Sequence, residues 1–350
     1  MTHLGADRQR SIEFSEQSRQ EIVGGLRSLG LSGARCVLVD VPTKANWGDS
    51  AIWQGELAAC SELGVDLADE VELLLYDRAR TRRAARDGVL LLNGGGNLGD
   101  LYPERQQFRE TVLQEFQDLR IVQLPASIYF ERQENLERAR RAFGAHPDFT
   151  LIVRDRESLD FARRYFDCTV RLMPDMAFAL GPLERAIAPA LDVVWLQRLD
   201  AEAPIVGAHV AELPAGVIRE DWSPAHLPKH LVRRRLAPVK IDVQLRKVQA
   251  RNPRAGKAVA PIRRRLVPQI GPARCELATI FLSRGRAVIT DRLHGHILCV
   301  LLGIPHVLLD NRIGKLSAYF DTWTHDAGIA QLARSEEEAL DAALSLARDE

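Results

Sequence analysis

The sequence predicts an α/β protein of two lobes, each a mostly parallel sheet wrapped by helices, with a ligand cleft between them. Three observations carry this. Short β-branched runs alternate with stretches of helical periodicity. The polar and glycine-rich pieces follow strands, where open α/β sheets bind ligands. At roughly 150 residues per domain, a chain of 350 residues makes two domains.

In chain order, residues 8–30 read as an amphipathic helix ending near Gly30, and RCVLVDV (35–41) as a buried strand bounded by Gly33 and Pro42. SAIWQGELAACSELG (50–64) reads as a helix closed by glycine. VELLLY (71–76) and GVLLLN (88–93) read as strands, the second running into a GGGNLGD turn. ERQQFRETVLQEFQD (104–118) is helical, and LRIVQLPASIYF (119–130) is a strand entering a loop. A helix (135–143), a strand (149–155), a helix (157–166) and VRLMPDMAFAL (170–180) complete a lobe spanning 1–182. GPLERAIAPA (181–190) reads as a linker. The second lobe, 191–334, opens with the strand LDVVWLQR (191–198), and APIVGA (203–208) fits either strand or turn. Later come the strand AVIT (287–290), the helix HILCVLLG and the strand PHVLLD (305–310). Residues 335–350 form a terminal helix with Ser335 as its cap.

The 47 basic and 47 acidic side chains balance, so net charge names no partner. The five cysteines form no CxxC pair, which predicts buried free thiols in a reducing compartment and no structural zinc site. No leader and no membrane-spanning run is legible, so the expected location is the cytoplasm. Segment 229–268 differs in kind, with thirteen Lys or Arg against one acid, Asp242. It reads as a solvated face or mobile loop, and its charge also suits acidic lipid headgroups at the inner face of a membrane. Too few aromatic residues interleave it for nucleic-acid binding.

The stretch ITDRLHGHIL (289–298) places Arg292, His294 and His296 between a strand and a helix. Helix-terminal amides favour an anion there. Arg292 adds a planar fork matched to phosphate or carboxylate. His294 can move a proton beside it, and Gly295 lets a substrate approach the backbone. The cluster reads as an anion site; pairing of Arg292 with Asp291 or another acid, and histidines that merely pack, is the alternative. In NGGGNLGDLY (93–102), Gly94, Gly95 and Gly96 suit a phosphate cradle or a tight turn equally, and Asn93, Asn97 and Asp100 suit sugar hydroxyls. The run is neither a dinucleotide fingerprint nor a P-loop. In NWGDSAI (46–52), Asn46 and Asp49 fit a hydroxyl-rich ligand with Gly48 allowing close approach, and they equally fit a helix cap. VRDRES (153–158) offers Arg154 and Arg156 as further anion ligands, with Asp155, Glu157 and Asp160 as ordinary salt-bridge partners. Asp175, in MPDMAF (173–178), fits a turn or an acid–base role.

In this order, NWGDSAI, LLNGGGNLGD, VRDRES, MPDMAF and TDRLHGHILCVLLGIPHVLLDN resemble the polysaccharide pyruvyl transferase family, across residues 37–323. DRLHGH is the most specific of these motifs. Segment 191–275 matches no family motif, and its basic tract reads as a variable insertion. The resemblance implies two Rossmann-like lobes similar to GT-B glycosyltransferases. It implies phosphoenolpyruvate as co-substrate, no other cofactor and no metal, and a saccharide acceptor, lipid-linked or free. The product would be a cyclic ketal on two hydroxyls of one sugar, with phosphate released. The family's Arg-Leu-His stretch falls on Arg292, Leu293 and His294, which implies donor binding and proton transfer there, with Arg154 as the second donor cation. Two other functions fit the same residues: a glycosyltransferase using a nucleotide-sugar, and a non-catalytic glycan-binding member of the family.

Overall fold

The computed structural model describes residues 3–43, 46–198, 212–310 and 314–349. The APIVGA segment lies outside the described residues. Within them the chain builds two parallel sheets, of seven and five strands.

The first half runs α1 (His3–Ser28), β1 (Arg35–Val39), α2 (Trp47–Glu62), β2 (Asp66–Val71), α3 (Arg78–Ala85), β3 (Val89–Leu92) and β4 (Gly95–Gly99). It continues through α4 (Pro103–Glu115), β5 (Arg120–Tyr129), α5 (Gln133–Gly144), β6 (Phe149–Val153), α6 (Arg156–Tyr165) and β7 (Thr169–Leu172). The second half runs β8 (Leu191–Leu196), β9 (Val217–Glu220), α7 (Lys229–Arg251), α8 (Pro253–Ser283), β10 (Gly285–Thr290) and α9 (Leu293–Leu302). It ends with β11 (His306–Leu309), α10 (Lys315–Thr322), β12 (Ala330–Ala333) and α11 (Glu336–Asp349).

The strands β1, β3, β6, β10 and β11 are near-continuous apolar runs because helices cover both faces of a parallel sheet. Strand order is β2-β1-β3-β5-β6-β7, with β4 paired to β5, and β9-β8-β10-β11-β12. In each sheet the second strand lies on one side of the first and the third on the other. The order therefore reverses between β1 and β3, and again between β8 and β10. Such a reversal opens a crevice at the carboxyl ends of the strands.

Three elements differ from the sequence reading. The strand expected over 71–76 lies instead at 66–71, and 73–75 is a 3-10 turn. DLADEV is an edge strand, half buried and half polar, so its pattern is hidden beside the more apolar LLL. The glycine run after β3 is no mere turn, because residues 95–99 extend alongside β5. The basic segment is no loop either. It is a hairpin of two long helices, α7 and α8. Pro261, Pro268 and Pro272 lie inside α8 and are all exposed, so the helix carries them on its solvent side.

The largest apolar cluster runs across both sheets, joining Ile22, Leu38 and Trp53 to Val194, Phe281 and Leu298. Fully burying such a side chain contributes about 1.5–3 kcal/mol. Helix α1 crosses to the second sheet, where Ser11 Oγ donates to the Val300 carbonyl at 2.7 Å. Ser335 caps α11, its hydroxyl accepting from the Glu338 amide at 3.1 Å.

Candidate functional site

A cleft opens at both reversal points. Pro42 follows β1, Asn93 to Asn97 follow β3, and Arg154 follows β6. Arg198 follows β8, and Arg292, Leu293 and His294 follow β10 at the start of α9. Asn46, Asp49, Tyr102 and Arg105 line the cleft from the amino ends of α2 and α4, and Trp222 from the segment after β9. Four arginines from four different elements thus face one cavity.

Asp175 organises the cationic centre. It is fully buried behind the cleft, where its Oδ2 accepts from Arg154 Nη1 at 2.6 Å. The same oxygen lies 3.5 Å from His294 Nε2. Its Oδ1 accepts from the Ala177 amide at 2.8 Å. Burial alone would raise this carboxyl; the His294 hydrogen bond and charge, then Arg154, overcome it and hold Asp175 well below the usual carboxylate range. Arg154 is fixed at its other edge, with Nε donating to Ser127 Oγ at 2.8 Å. That hydroxyl donates in turn to Asp155 Oδ2 at 2.6 Å.

His294 Nε2 also lies 3.4 Å from Arg154 Nη1. A protonated Nε2 can donate to Asp175, and a bare Nε2 can accept from Arg154. The ring has a partner in either protonation state. On its other side Nδ1 sits 3.9 Å from Asp49 Oδ1, beyond hydrogen-bond range but close enough to feel the charge.

Arg292 pairs with an acid, but the acid is Asp221 after β9, at 2.6 Å from Nη2. Asp291 instead accepts the Arg198 amide at 2.8 and 3.0 Å. Burial pushes Asp291 up to about 6 against the pull of that amide and of Arg292.

Other candidates are placed differently. Asn46 is the cap of α2: its side-chain oxygen accepts from the Gly48 amide at 3.2 Å, and Nδ2 donates to Asp49 Oδ1 at 2.9 Å. Both side chains still line the cleft. Gly48 gives close approach to a side chain rather than to a ligand, as argued below. Gly295 does not line the cleft; a Cβ there would fall 2.4 Å from Thr290 Oγ1, so it packs α9 onto β10. Arg156 is exposed and outside the cleft, because β6 ends at Val153 and the strand alternation that would align it with Arg154 stops there. His296 points into the core, where Nδ1 is 2.7 Å from His306 Nε2 and Nε2 is 2.7 Å from Thr324 Oγ1. Burial, then the neighbouring His306, hold His296 well below its ordinary range. Asp100 accepts from the Glu131 and Arg132 amides and from Asn135, tying down the loop after β5 rather than facing the cleft. Asn97 lines the cleft while accepting from Arg109 Nη2 at 2.8 Å.

Sequence reading missed Arg105, Arg198, Asp221 and Glu56. Arg198 ends LDVVWLQR and stands at a strand terminus, the position already singled out for the other arginines. Arg105 left no such signal. It is buried on α4 and paired with Asp40, a residue at φ 72° just past β1. Glu56 lies fully inside α2, accepting from Asn93 Nδ2 at 2.7 Å and from the Gly94 amide at 2.8 Å. Burial pushes it up to about 8, against those two donors. Among the described residues no cluster of three or more His, Cys, Asp or Glu is arranged to hold a metal ion.

Fold and cleft define an α/β protein with two parallel sheets and an arginine-rich site where their strand orders reverse. The sequence profile of the polysaccharide pyruvyl transferase family matches residues 46–312, and the chain belongs to that transferase family. It is 32% identical over 326 residues to Pyruvyl transferase 1 of Schizosaccharomyces pombe, covering 87% of this chain and 74% of that one. It is 31% identical over 309 residues to EpsO of Bacillus subtilis, provisionally named a pyruvyl transferase, covering 87% and 90%. The crystal structure of an uncharacterized protein from Klebsiella pneumoniae shares the fold, with a TM-score of 0.51 at 17% identity over 87% of this chain and 93% of that one.

Proposed function

We propose that the cleft binds phosphoenolpyruvate and transfers its pyruvyl group to two hydroxyls of one saccharide residue. In this reading the lobes, 1–182 and 191–334, are the halves of a GT-B-like enzyme. The observation that carries it is the His294 ring, served by Asp175 in one protonation state and by Arg154 in the other, within a cavity walled by four arginines.

Phosphoenolpyruvate carries a carboxylate and a phosphate, so it needs cations at two places. Arg292 with the amino end of α9 serves one, and Arg154 serves the other. The methylene carbon gains a proton, which makes C2 electrophilic. An acceptor hydroxyl adds to C2 and gives up its proton. The C2–O bond to phosphate breaks, and phosphate leaves with the electron pair. The second hydroxyl adds to C2 and loses its proton, closing the ring. One hydroxyl proton balances the proton gained by the methyl group, and the other leaves with phosphate. His294 is the proton-transfer group, and Asp175 is its positioning residue. Asn46, Asp49 and the segment 93–97 line the same cleft and offer hydrogen bonds to sugar hydroxyls.

The test is thermal stability with and without phosphoenolpyruvate, for wild type, Arg292→Ala and His294→Ala. A ligand that binds only the folded state raises stability by mass action. The expected result is a shift in wild type that Arg292→Ala abolishes, and turnover on an acceptor that His294→Ala abolishes. A shift with a nucleotide-sugar and none with millimolar phosphoenolpyruvate would overturn the donor assignment in favour of glycosyl transfer.

A further inference from the structure

We infer that the outer face of the α7–α8 hairpin is a docking surface for an anionic lipid bilayer. Its charge is one-sided. The only acid of segment 229–268, Asp242, is buried, where its carboxylate accepts from Arg246 Nε at 2.6 Å and from Arg263 Nε at 2.8 Å. Arg263 also reaches Glu72, the residue after β2, at 3.1 Å, and Arg235 pairs with Glu276, the one exposed acid of the hairpin. Arg246 and Arg263 are thus held by buried acids, and Glu276 is neutralised at the surface by Arg235. Nine others stay exposed: Lys229, Arg233, Arg234, Lys240, Lys247, Arg251, Arg254, Lys257 and Arg265. None of the nine forms an ion pair with a described residue.

Apolar side chains stand among them. Seven large hydrophobic residues are exposed among the described residues, and four are on this hairpin: Ile241, Val243, Val248 and Ile262. Helical spacing puts Ile241 and Val248 seven residues apart on one face of α7, each directly beside a lysine, Lys240 and Lys247. Leu74, 49% exposed, adjoins the same end, because its carbonyl accepts from Gln249 of α7 at 2.8 Å. Cations flanking projecting aliphatic groups match a headgroup layer: phosphates take the charges, and the aliphatic tips enter the boundary of the acyl region. No helix among the described residues is long and apolar enough to cross a membrane, so the contact is peripheral. A nucleic acid fits less well, since no Phe, Tyr or Trp lies in 229–268 to stack a base.

The hairpin is also joined to the cleft. Arg246 Nη2 donates to the Thr43 carbonyl at 2.6 Å, one residue beyond Pro42 in the cleft wall. Docking would hold the cleft close to the bilayer. Resting on the pyruvyl-transfer reading, the acceptor class this favours is a saccharide carried on a membrane lipid.

The experiment is cosedimentation of the full chain with vesicles of phosphatidylcholine alone, or with phosphatidylglycerol added, at low and high salt. It needs no donor, so it fails or succeeds independently of the proposed chemistry. The expected result is binding to the anionic vesicles only, weakened by salt. The triple variant Lys240→Glu/Lys247→Glu/Arg251→Glu should bind at least about a hundredfold more weakly, from the loss of three basic contacts. Ile241→Ser/Ile262→Ser should also bind more weakly, with an unchanged melting temperature because both side chains are already exposed. No binding to anionic vesicles at low salt would overturn the inference. So would binding to duplex DNA as tight as to vesicles and untouched by the two serine substitutions, which would mark a general polyanion surface.

Discussion

Gly48 and His294 meet across the cleft: a β-carbon built on Gly48 would lie 2.5 Å from Cβ of His294 and 3.0 Å from Cγ. The amino ends of α2 and α9, one from each half of the chain, are therefore in contact at the proposed proton-transfer residue. Neither backbone can yield easily, since Asn46 caps α2 and Gly295 is packed on Thr290. Gly48→Ala should destabilise the protein by about 1–3 kcal/mol through overpacking. It should lower kcat more than it raises KM for phosphoenolpyruvate, because it displaces the ring and leaves the arginines in place. Thermal melts beside steady-state kinetics check this; unchanged kcat would show that the ring position does not matter.

Asp175→Asn removes the charge that Arg154 and His294 share. Breaking a buried pair from one side costs about 3–5 kcal/mol. The pH sign follows from a carboxyl held below its usual range. Its stabilising contribution is complete above the ordinary carboxylate value of about 3.9 and is lost as pH falls towards the depressed value. Wild type should therefore lose stability on acidification below that ordinary value, and the variant should lose less over the same range. Denaturant unfolding along an acid series measures the difference.

Glu56 predicts the opposite slope. A carboxyl raised to about 8 in the fold takes up protons more readily than in the unfolded chain. Stability from this group is complete below the unfolded value of about 4.3 and is lost as pH rises through 8. Glu56→Gln keeps the shape and carries no proton equilibrium, so its stability should be flatter between those limits. Its activity should remain near wild type if the residue's part is to hold the Asn93–Gly94 backbone. Chemical denaturation at several pH values, with kinetics at one, tests both statements.

His296 and His294 are two residues apart and should behave differently. His296→Phe removes the partner of His306 Nε2 and of Thr324 Oγ1, while His306 Nδ1 keeps the Ile304 carbonyl, at a cost of about 1–3 kcal/mol per orphaned atom. Its kcat and KM, measured below the melting temperature, should stay within a few-fold of wild type, an order set by the absence of any contact with the cleft. A loss of turnover comparable to that of His294→Ala would place His296 in the chemistry after all.

Much of the architecture was legible without coordinates, and the reason is local. A parallel strand buried on both faces must be apolar throughout, so β1, β3, β6, β8, β10 and β11 announced themselves, as did α1, α2, α4, α5, α6, α9 and α11, whereas the short α3 and α10 did not. The edge strand β2 did not, because half-burial lets Asp66, Asp69 and Glu70 occupy it. The α7–α8 hairpin did not, because its charges and prolines resemble those of a loop, and only docking against α2 and the Glu72 carboxylate gives its inner face a purpose.

The site divides in the same way. By itself the sequence determined that Arg154, Arg292 and His294 stand at strand ends, where open α/β sheets bind ligands. Tertiary structure alone decided that Asp175 joins Arg154 to His294, that Arg105 and Arg198 reach the same cavity, and that Arg156, Gly295 and His296 do not. Those choices depend on where two separate sheets bring their strand ends together. Neighbours such as Arg154 and His294, 140 positions apart in the chain, leave no trace in local periodicity, because only packing of the two sheets against a common core sets the distance between them.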